Sequence, residues 1–272
     1  MKRIKSMVKY LFLALCLLTV AGQSSLSVFA EGEKVKMGTL SVGEPLFRWM
    51  EEDLKKQGIE IEIVTFTENQ QPAIALSNGD IDGFIVNQKV WLDQFNKSNN
   101  TDLLMLEPYI YFTGFGAYSD KYDKIEDLPD HAKVAIPGNP VNMERAMTVL
   151  QHAGVIKLGE KLGELYTTAD IIENPKNLEF IEMEQTVVAR SIKDVDAVVC
   201  TSSYLKDAGH DANDYLFKDP DAANFPYGLV VQPKDKDAEW AKAIIEITQS
   251  ESWRKQFDDH FQGARTLIDA EE

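Results

Sequence analysis

The sequence predicts an α/β protein with two lobes and a ligand cleft between them, and three features carry this prediction. Short runs of β-forming residues alternate with segments whose apolar residues recur every three or four positions, as in parallel sheets covered by helices. This alternation occurs in the first half of the chain and again in the second, and an apolar, aromatic stretch at residues 103–118 joins the halves. Two such units usually leave a cleft in which small ligands bind.

The first unit is predicted to contain three strands and three helices. Residues 59–66 alternate acidic residues with isoleucine, the period of a half-buried strand, whereas Leu46, Met50 and Leu54 recur at helical spacing. The predicted strands cover 35–39, 59–66 and 81–86, and the predicted helices cover 45–57, 71–77 and 88–96. The stretch at 103–118 is predicted to be one long strand or two that lead out of this unit.

The second unit repeats the alternation, and the chain then returns to the first. The predicted strands cover 133–136, 178–183 and 195–200, and the predicted helices cover 142–153, 168–174, 186–192 and 203–208. A strand at 227–231 leads back to the first unit, and helices at 238–247 and 252–261 close the chain. The predicted lobes are therefore residues 31–114 with 225–272, and residues 115–224.

The first thirty residues have the pattern of an export signal. Four basic residues precede an apolar core from Tyr10 to Val20, and a small-residue cleavage site ends at Ala30. The core is about half as long as a membrane span requires. Cys16 lies inside it and follows Leu15, where a lipid-attachment site usually needs a small residue. We therefore predict export to the periplasm or the cell surface with cleavage after Ala30; retention as a membrane anchor is the alternative.

The mature chain would be strongly acidic. Residues 31–272 make up 242 residues with 24 basic and 44 acidic side chains, a formal charge of −20. Phosphate backbones and anionic lipid surfaces would be repelled on average, so binding to nucleic acid is not predicted. Cys200 is the one cysteine left after cleavage, so the mature chain has no internal disulfide and depends on its core for stability.

Residues 133–150 offer the clearest candidate for ligand binding. An apolar strand ends in a Pro-Gly-Asn-Pro loop, and a helix with apolar residues at spacings of three and four follows. Asn142 is the predicted helix cap, and Arg145 lies in the first turn. Backbone N–H groups at a helix start and a guanidinium both suit a carboxylate. The alternative is an ordinary strand-loop-helix junction with a solvated arginine.

The sequence predicts no catalytic residue, metal site or cofactor. The four histidines are separated, and there is no HExxH, CxxC, GxSxG or phosphate-binding glycine loop. Cys200 ends an apolar strand and is predicted to be a core residue. The pairs Asp80/Asp82 and Asp194/Asp196 each precede an apolar strand, so we interpret them as turn residues rather than an acid/base pair.

The four tryptophans divide into two groups. Trp49, Trp240 and Trp253 lie on amphipathic helices and are predicted to pack in the core. Trp91 follows a turn at residues 87–88, so it is either a core residue or a wall of the cleft.

Four motifs occur in an order and spacing that point to a known family. They are FTENQQPAIAL (66–76), GDIDGFIVNQKVWLDQF (79–95), AIPGNPVNMERAMTVL (135–150) and RSIKDVDAVVCTSSY (190–204). With these motifs the mature chain resembles, over essentially its whole length, the methionine-binding lipoprotein family, the substrate-binding components of ABC importers. The resemblance implies a type II periplasmic-binding-protein fold that closes on an amino acid and delivers it to a membrane permease and its ATPase.

The resemblance also implies a ligand site, and this chain departs from the family pattern there. Arg145 and Asn142 would hold the ligand carboxylate, while Asn69, Gln88 and Thr201 would contact the rest of an amino acid. Asn69 stands where the family usually has tyrosine and Gln88 where it has histidine. Thr201 and the two serines after it replace Asn-Gly-Asn. The carboxylate anchor is thus retained and the groups that select the side chain are changed.

Two further features of the family are affected. Its lipid-attachment cysteine is missing here, and a further ligand asparagine has Asn224 or Tyr227 as its equivalent. The lobes are predicted to close by a hinge motion near residues 112–117 and 225–229.

The predicted function is therefore binding of methionine, or of another small carboxylate-bearing, amino acid-like ligand, for an ABC uptake transporter. Replacing tyrosine and histidine by amides favours a more polar ligand. A surface interaction protein that has lost solute binding on the same scaffold is the first alternative. An exported enzyme is the second, for which the amides and hydroxyl of the site are poor acids and bases.

Overall fold

The structure is a computed structural model that describes residues 33–269; the predicted export signal at 1–30 lies outside the described residues. The strands of the described chain are β1 (Glu33–Leu40), β2 (Ile59–Phe66), β3 (Gly83–Phe84), β4 (Leu104–Met105), β5 (Tyr111–Thr113), β6 (Phe115–Tyr118), β7 (Lys133–Pro137), β8 (Lys157–Leu158), β9 (Ile171–Glu173), β10 (Glu179–Met183), β11 (Ala197–Thr201), β12 (Phe217–Lys218), β13 (Pro226–Tyr227), β14 (Val230–Val231) and β15 (Arg265–Leu267). The α-helices are α1 (Glu44–Arg48), α2 (Glu51–Lys56), α3 (Gln71–Asn78), α4 (Lys89–Asn99), α5 (Pro140–His152), α6 (Gln185–Val188), α7 (Ser202–Asp207), α8 (Glu239–Thr248) and α9 (Glu251–Phe261).

The first lobe is built on a five-stranded sheet with the order β2-β1-β3-β14-β4. β1 and β2 are parallel and pair from Glu33 opposite Ile59 to Leu40 opposite Phe66. β14 is antiparallel to β3 and β4, because the chain enters it on its return from the second lobe. Helices α8 and α9 then pack on this lobe, with Trp240 and Trp253 in its core.

The second lobe is built on another five-stranded sheet, with the order β10-β7-β11-β6-β12. β10 and β11 run parallel to β7 on either side of it, whereas β6 is antiparallel to β11 and β12 is antiparallel to β6. Helix α5 follows β7 and packs Ala146, Met147 and Leu150 against Val134 and Ile136. Two helix-covered sheets of this kind confirm the predicted two-lobed α/β architecture.

A small antiparallel sheet, β13-β5-β15, lies where the chain crosses between the lobes. Gly114 separates β5 from β6, so it stands between the crossover sheet and the sheet of the second lobe. A Cβ atom at this position would fall 2.3 Å from the hydroxyl oxygens of both Ser202 and Tyr215, closer than any real contact. Glycine is therefore required here by the close approach of the neighbouring side chains.

The structure confirms the predicted packing roles. Trp253 is fully buried and donates its indole N–H to the carbonyl of Leu46, and Cys200 is buried in β11. The aspartates at the strand entries accept hydrogen bonds from the backbone. Asp82 accepts the N–H of Lys36, and Asp196 accepts the N–H of Lys133. These bonds confirm the interpretation of Asp82 and Asp196 as strand-entry residues.

Several predicted elements are wrong in type or length. Residues 168–174 form a 3₁₀ turn followed by β9 rather than a helix; Thr167 and Asp170 make a capping box at the start of the turn. The helix predicted at 45–57 is divided between α1 and α2, and the strand predicted at 81–86 is reduced to β3. The apolar stretch at 103–118 forms three short strands instead of one or two, and β8 and β15 were not predicted.

Within residues 33–269 no helix combines the length and apolar character that a bilayer crossing demands. The same residues contain no group of three or more His, Cys, Asp or Glu side chains arranged to hold a metal ion.

Candidate ligand site between the lobes

The loop before α5 caps its own helix. Asn139, not Asn142, is the N-cap: its side-chain oxygen accepts the N–H of Asn142 at 3.0 Å, and Pro140 occupies the first helical position. Pro140 has no N–H to satisfy and its φ angle suits a helix start, which explains why the helix begins two residues earlier than predicted. The N–H of Met143 bonds the Asn139 carbonyl, so these helix-start donors are used within the loop.

Arg145 is buried and already paired. Its Nε lies 2.7 Å from a carboxylate oxygen of Asp219, and the two side chains are 2% and 3% exposed. The guanidinium lies between the rings of Phe115 and Phe225, with Cζ 4.4 and 4.1 Å from their centroids. Burial lowers the pKa of Arg145 below its ordinary value, and the Asp219 carboxylate opposes that effect. One donor, Nη1, is buried without a partner.

A chain of side-chain hydrogen bonds connects the two lobes. Gln88, which follows β3, donates from Nε2 to Oδ1 of Asn142 on α5 at 2.9 Å. Asn142 donates to Asn139, Asn139 to Gln185, and Gln185 to the hydroxyl of Thr201, at 2.9, 3.2 and 2.6 Å. Three of the predicted site residues, Gln88, Asn142 and Thr201, therefore belong to one buried network, which Asn139 and Gln185 complete.

A second polar contact crosses the cleft. The hydroxyl of Tyr204 on α7 donates to Oδ1 of Asn69, which precedes α3, at 2.8 Å. Burial raises the pKa of Tyr204 well above its ordinary value, so this phenol stays protonated and remains a donor. Together with the Gln88–Asn142 bond, it holds the lobes in a closed arrangement.

Three cavities border these residues. The largest, about 410 Å³, is a groove lined by Asn69 and Trp91 from the first lobe and by residues 138–141 from the second. Trp91 is stacked on Phe95 there, so it serves both packing and the groove wall. Arg145 and Asp219 border a cavity of about 110 Å³. The third cavity, about 20 Å³, contains Thr201 and has room for roughly one water molecule.

The smallest cavity is lined by both lobes and by the crossover sheet. Its wall includes Thr39 and Val86 of the first lobe, Thr201 and Ser203 of the second, and Arg265 of β15. Arg265 is the one charged residue in this lining, and its relative exposure is 5%. The sequence offered no sign of it, because β15 is a three-residue strand near the chain end that lacks any strong pattern.

The aromatic residues beside this cavity are neutral. Tyr227 stacks on Tyr111, with ring centroids 4.9 Å apart. Burial raises the pKa of Tyr227 above its ordinary value, and the charges of Arg145 and Arg265 oppose that rise. Both guanidiniums are therefore close enough to Tyr227 to act on it electrostatically. A neutral, hydroxyl-rich wall next to two cations suits an anionic or zwitterionic ligand and offers no obvious acid/base pair.

Four of the five predicted site residues take part in two sets of hydrogen bonds at the interface between the lobes. Gln88, Asn142 and Thr201 share the amide network, while Asn69 contacts Tyr204. The functional candidates that sequence reasoning missed are Asn139, Gln185, Tyr204, Asp219 and Arg265. Of these, Asn139 alone had a signal, since an asparagine directly before a proline that starts a helix is a good N-cap.

A family model described as NlpA lipoprotein matches residues 35–268. The chain belongs to the NlpA lipoprotein family. One relative is the D-methionine-binding lipoprotein MetQ of Salmonella typhimurium, which is 34% identical over 201 residues, or 72% of this chain and 73% of the relative. The outer membrane lipoprotein 1 of Mannheimia haemolytica is 29% identical over 84% of this chain and 83% of its own length.

Solved structures of NlpA-like binding proteins share the fold. A nutrient-binding protein from Burkholderia cenocepacia, bound to methionine, superposes with a TM-score of 0.81 at 29% identity and covers 86% of this chain and 100% of its own. The substrate-binding protein of a methionine transporter from Streptococcus pneumoniae gives a TM-score of 0.80 at 29% identity, with coverage of 86% and 95%. The NlpA-family chain described here therefore has the fold of a substrate-binding protein.

Proposed function

We propose that this chain is the extracytoplasmic substrate-binding protein of an ABC uptake transporter and binds methionine or another small carboxylate-bearing, amino acid-like ligand. Membership of the NlpA lipoprotein family and the names of its methionine-binding relatives support this role. The observation that carries the proposal is the closed interlobe site, in which Gln88 and Asn142 meet across the cleft at 2.9 Å. The chain performs no chemistry of its own in this proposal.

The proposed ligand contacts are Asn69, Gln88, Asn142, Arg145 and Thr201. Each lies where the lobes meet, and the unpartnered Nη1 of Arg145 leaves one strong donor for a ligand oxygen. Where the resemblance to the methionine-binding family implies tyrosine and histidine, this chain has amides that already bond Tyr204 and Asn142. A ligand must therefore replace or rearrange these bonds, which favours a polar ligand.

The proposed lobes are residues 31–114 with 225–272 and residues 115–224. The hinge would lie in the crossover segments near residues 112–117 and 225–229, where β5 and β13 pair beside Gly114. The cavity of about 20 Å³ is too small for an amino acid, so entry requires the lobes to separate. Replacing both Asn69 and Gln88 by alanine removes two of the bonds between the lobes. The ligand-free variant should then show a larger radius of gyration in solution X-ray scattering than the ligand-free wild type.

The partners would be an ABC permease and its ATPase, and the protein would act outside the cytoplasm. Lipoprotein relatives support an extracytoplasmic, membrane-attached setting. For this chain we propose export through the signal at residues 1–30, either with cleavage after Ala30 or with the signal retained as an anchor. Mass spectrometry of the mature N-terminus separates these two forms.

A thermal-shift screen of residues 31–272 tests the ligand. L- and D-amino acids, short peptides and organic acids are added at about a hundred times the dissociation constant expected of a transport ligand. Such an excess adds about 2.7 kcal/mol to stability, or a rise of about 5 to 10 °C in the melting temperature. A rise with methionine supports the family substrate, and a rise with another carboxylate identifies a different cargo.

One observation favours the alternative, a surface interaction protein that has lost solute binding. The site is closed by the protein's own side chains, and the charge of Arg145 is balanced internally by Asp219. This alternative predicts no thermal shift with any screened compound and a saturable protein partner.

A further inference from the structure

The described residues contain two buried arginines at the lobe interface, and the charge of one is unbalanced. Arg145 is paired with Asp219, whereas no carboxylate of residues 33–269 forms an ion pair with Arg265. Arg265 instead donates from Nη2 to the carbonyl of Val42 at 3.0 Å and from Nη1 to the hydroxyl of Tyr111 at 3.3 Å. Its Nε is buried and bonds nothing among the described residues.

The position of Arg265 is fixed by its surroundings. Its Cζ lies 4.0 Å from the centroid of the Phe261 ring and 4.9 Å from that of Tyr111. The residue is held in β15 opposite Thr113 of the crossover strand. A guanidinium that lies between aromatic rings, with a free donor and no counterion, is expensive to bury unless an anion completes it.

The cavity beside Arg265 contains a second donor that suits an anion. The hydroxyl oxygen of Thr201 accepts the Nε2 hydrogen of Gln185 at 2.6 Å, so its own hydrogen is available to donate. Thr201 and Arg265 line the same cavity, which has no acidic side chain in its wall. Thr201 comes from the second lobe and Arg265 from the crossover sheet, so an anion bound to both would link the lobes.

We propose that Arg265, together with the Thr201 hydroxyl, binds the carboxylate of the ligand. Arg265 balances the charge of that carboxylate, as Arg145 balances the charge of Asp219. This inference rests on the proposed function and defines the ligand class: a small acid whose carboxylate enters the cavity of the crossover sheet. Arg145 borders the separate cavity of about 110 Å³ and donates one hydrogen bond to the ligand through Nη1. The cargo is recognised first by its negative charge at Arg265 and only then by its side chain.

The first test compares a carboxylate with its uncharged analogue. Titration calorimetry of the wild type with L-methionine and L-methioninamide gives the preference for the charged group. Arg265→Gln should weaken L-methionine binding roughly 10- to 150-fold and remove most of that preference. The matched control is Arg254→Gln, which changes the net charge by the same amount at an arginine that pairs with Asp269 away from the cleft and should keep the preference.

The second test observes Arg265 directly and does not require a variant to fold. In ¹⁵N-labelled wild-type protein, the Nε–H resonance of Arg265 should move on addition of L-methionine and should not move with L-methioninamide. The resonance is assigned by its absence in Arg265→Lys. Chloride and phosphate are added separately to detect a site that takes an inorganic anion only, an outcome that overturns the proposal.

The two proposals fail in different ways. If the wild type binds L-methionine and Arg265→Gln binds it equally well, with the preference for the carboxylate kept, the role of Arg265 is overturned and the transport function stands. If no compound in the thermal-shift screen binds and the Nε–H resonance never moves, both proposals are overturned.

Discussion

The surroundings of Arg145 and Arg265 differ in one respect that decides what each arginine does. Both guanidiniums are buried and lie against aromatic rings, but Arg145 has the carboxylate of Asp219, whereas Arg265 forms no ion pair among the described residues. A buried ion pair is electrically complete and contributes to the fold. A buried cation without a counterion carries a desolvation cost, which the carboxylate of the proposed ligand would offset. The charge of the arginine at the family's ligand position is thus already balanced by Asp219, whereas the charge of Arg265 is not balanced by a carboxylate of the described residues.

The largest expected effect comes from breaking the complete pair. Arg145→Met leaves the Asp219 carboxylate buried without a partner and should reduce the free energy of unfolding by about 3 to 5 kcal/mol. Urea unfolding followed by circular dichroism measures the loss. Arg254→Met is the control, because Arg254 pairs with Asp269 at the surface and should cost less than about 1 kcal/mol. Arg145→Met/Asp219→Leu should recover most of the stability; a double variant as unstable as the single one would show that Asp219 is not the relevant partner.

A smaller loss of stability is expected when the amide network is broken. This network links α5, the helix that carries Arg145, to the cavity beside Arg265. Gln185→Ala removes the amide between Asn139 and Thr201, so that Asn139 Nδ2 and the buried Thr201 hydroxyl each lose a hydrogen-bond partner. The loss should be about 1 to 3 kcal/mol in the same unfolding measurement. Gln256→Ala, on an exposed face of α9, is the control and should change little. Equal values for the two variants would mean that the amide chain adds nothing to stability.

Arg265→Gln should change the stability of the ligand-free protein less than Arg145→Met does. The variant loses the bond to Val42 and the contact with Phe261, but it also removes an uncompensated buried charge, so the two effects oppose each other. The net change should be below about 1.5 kcal/mol in either direction. A loss as large as that of Arg145→Met would indicate a hidden counterion and would erase the difference between the two arginines.

The smallest effect is a pKa change at His260, which reports the charge of Arg265. Burial lowers the pKa of His260 from its ordinary value of 6.5, and the charges of Arg265 and Lys206 lower it further. Imidazole resonances followed by NMR should show this pKa rising in Arg265→Gln and remaining unchanged in Arg145→Met/Asp219→Leu. A bound carboxylate should raise it in the wild type as well.

The same group gives a pH dependence of stability with a definite sign. Because the pKa of His260 is lower in the folded state, the unfolded state binds more protons when the pH falls below about 6.5. Folding stability should therefore decrease as the pH falls from there through the folded pKa and level off below it. Since Arg265→Gln raises the folded pKa, its dependence on pH in this window should be weaker than that of the wild type.

The fold was largely predictable because its signals are local. The alternation of residues 59–66 and the helical spacing of α5 each report burial on one face, and the structure has both elements. The prediction of one or two strands at 103–118 was wrong because the apolar and aromatic residues there are compatible with a strand throughout. It is divided where the chain must pass between two sheets, a tertiary requirement that no local period shows.

The site was only partly predictable for a similar reason. Asn69, Gln88, Asn142 and Thr201 lie at the lobe interface as the resemblance implies, yet their partners depend on long-range contacts. Asp219 is 74 residues from Arg145 in the chain, and nothing in the Asp-Pro-Asp turn that contains it indicates an ion pair. Arg265 is separated from Val42 by 223 residues. Charge balance in a cleft is a property of the folded molecule, so sequence alone named the arginine and missed its counterion.

The hydrogen bonds from Gln88 to Thr201 give the cleft a polarity. Each bond of this network is donated toward the Thr201 end, so the network has a carbonyl oxygen at the Gln88 end and a hydroxyl hydrogen at the Thr201 end. Amides carry no net charge and do not titrate, so this polarity is the same at every pH at which the protein is folded. In the proposed site, the ligand carboxylate would therefore meet a hydroxyl hydrogen at the Thr201 end of the network at every such pH.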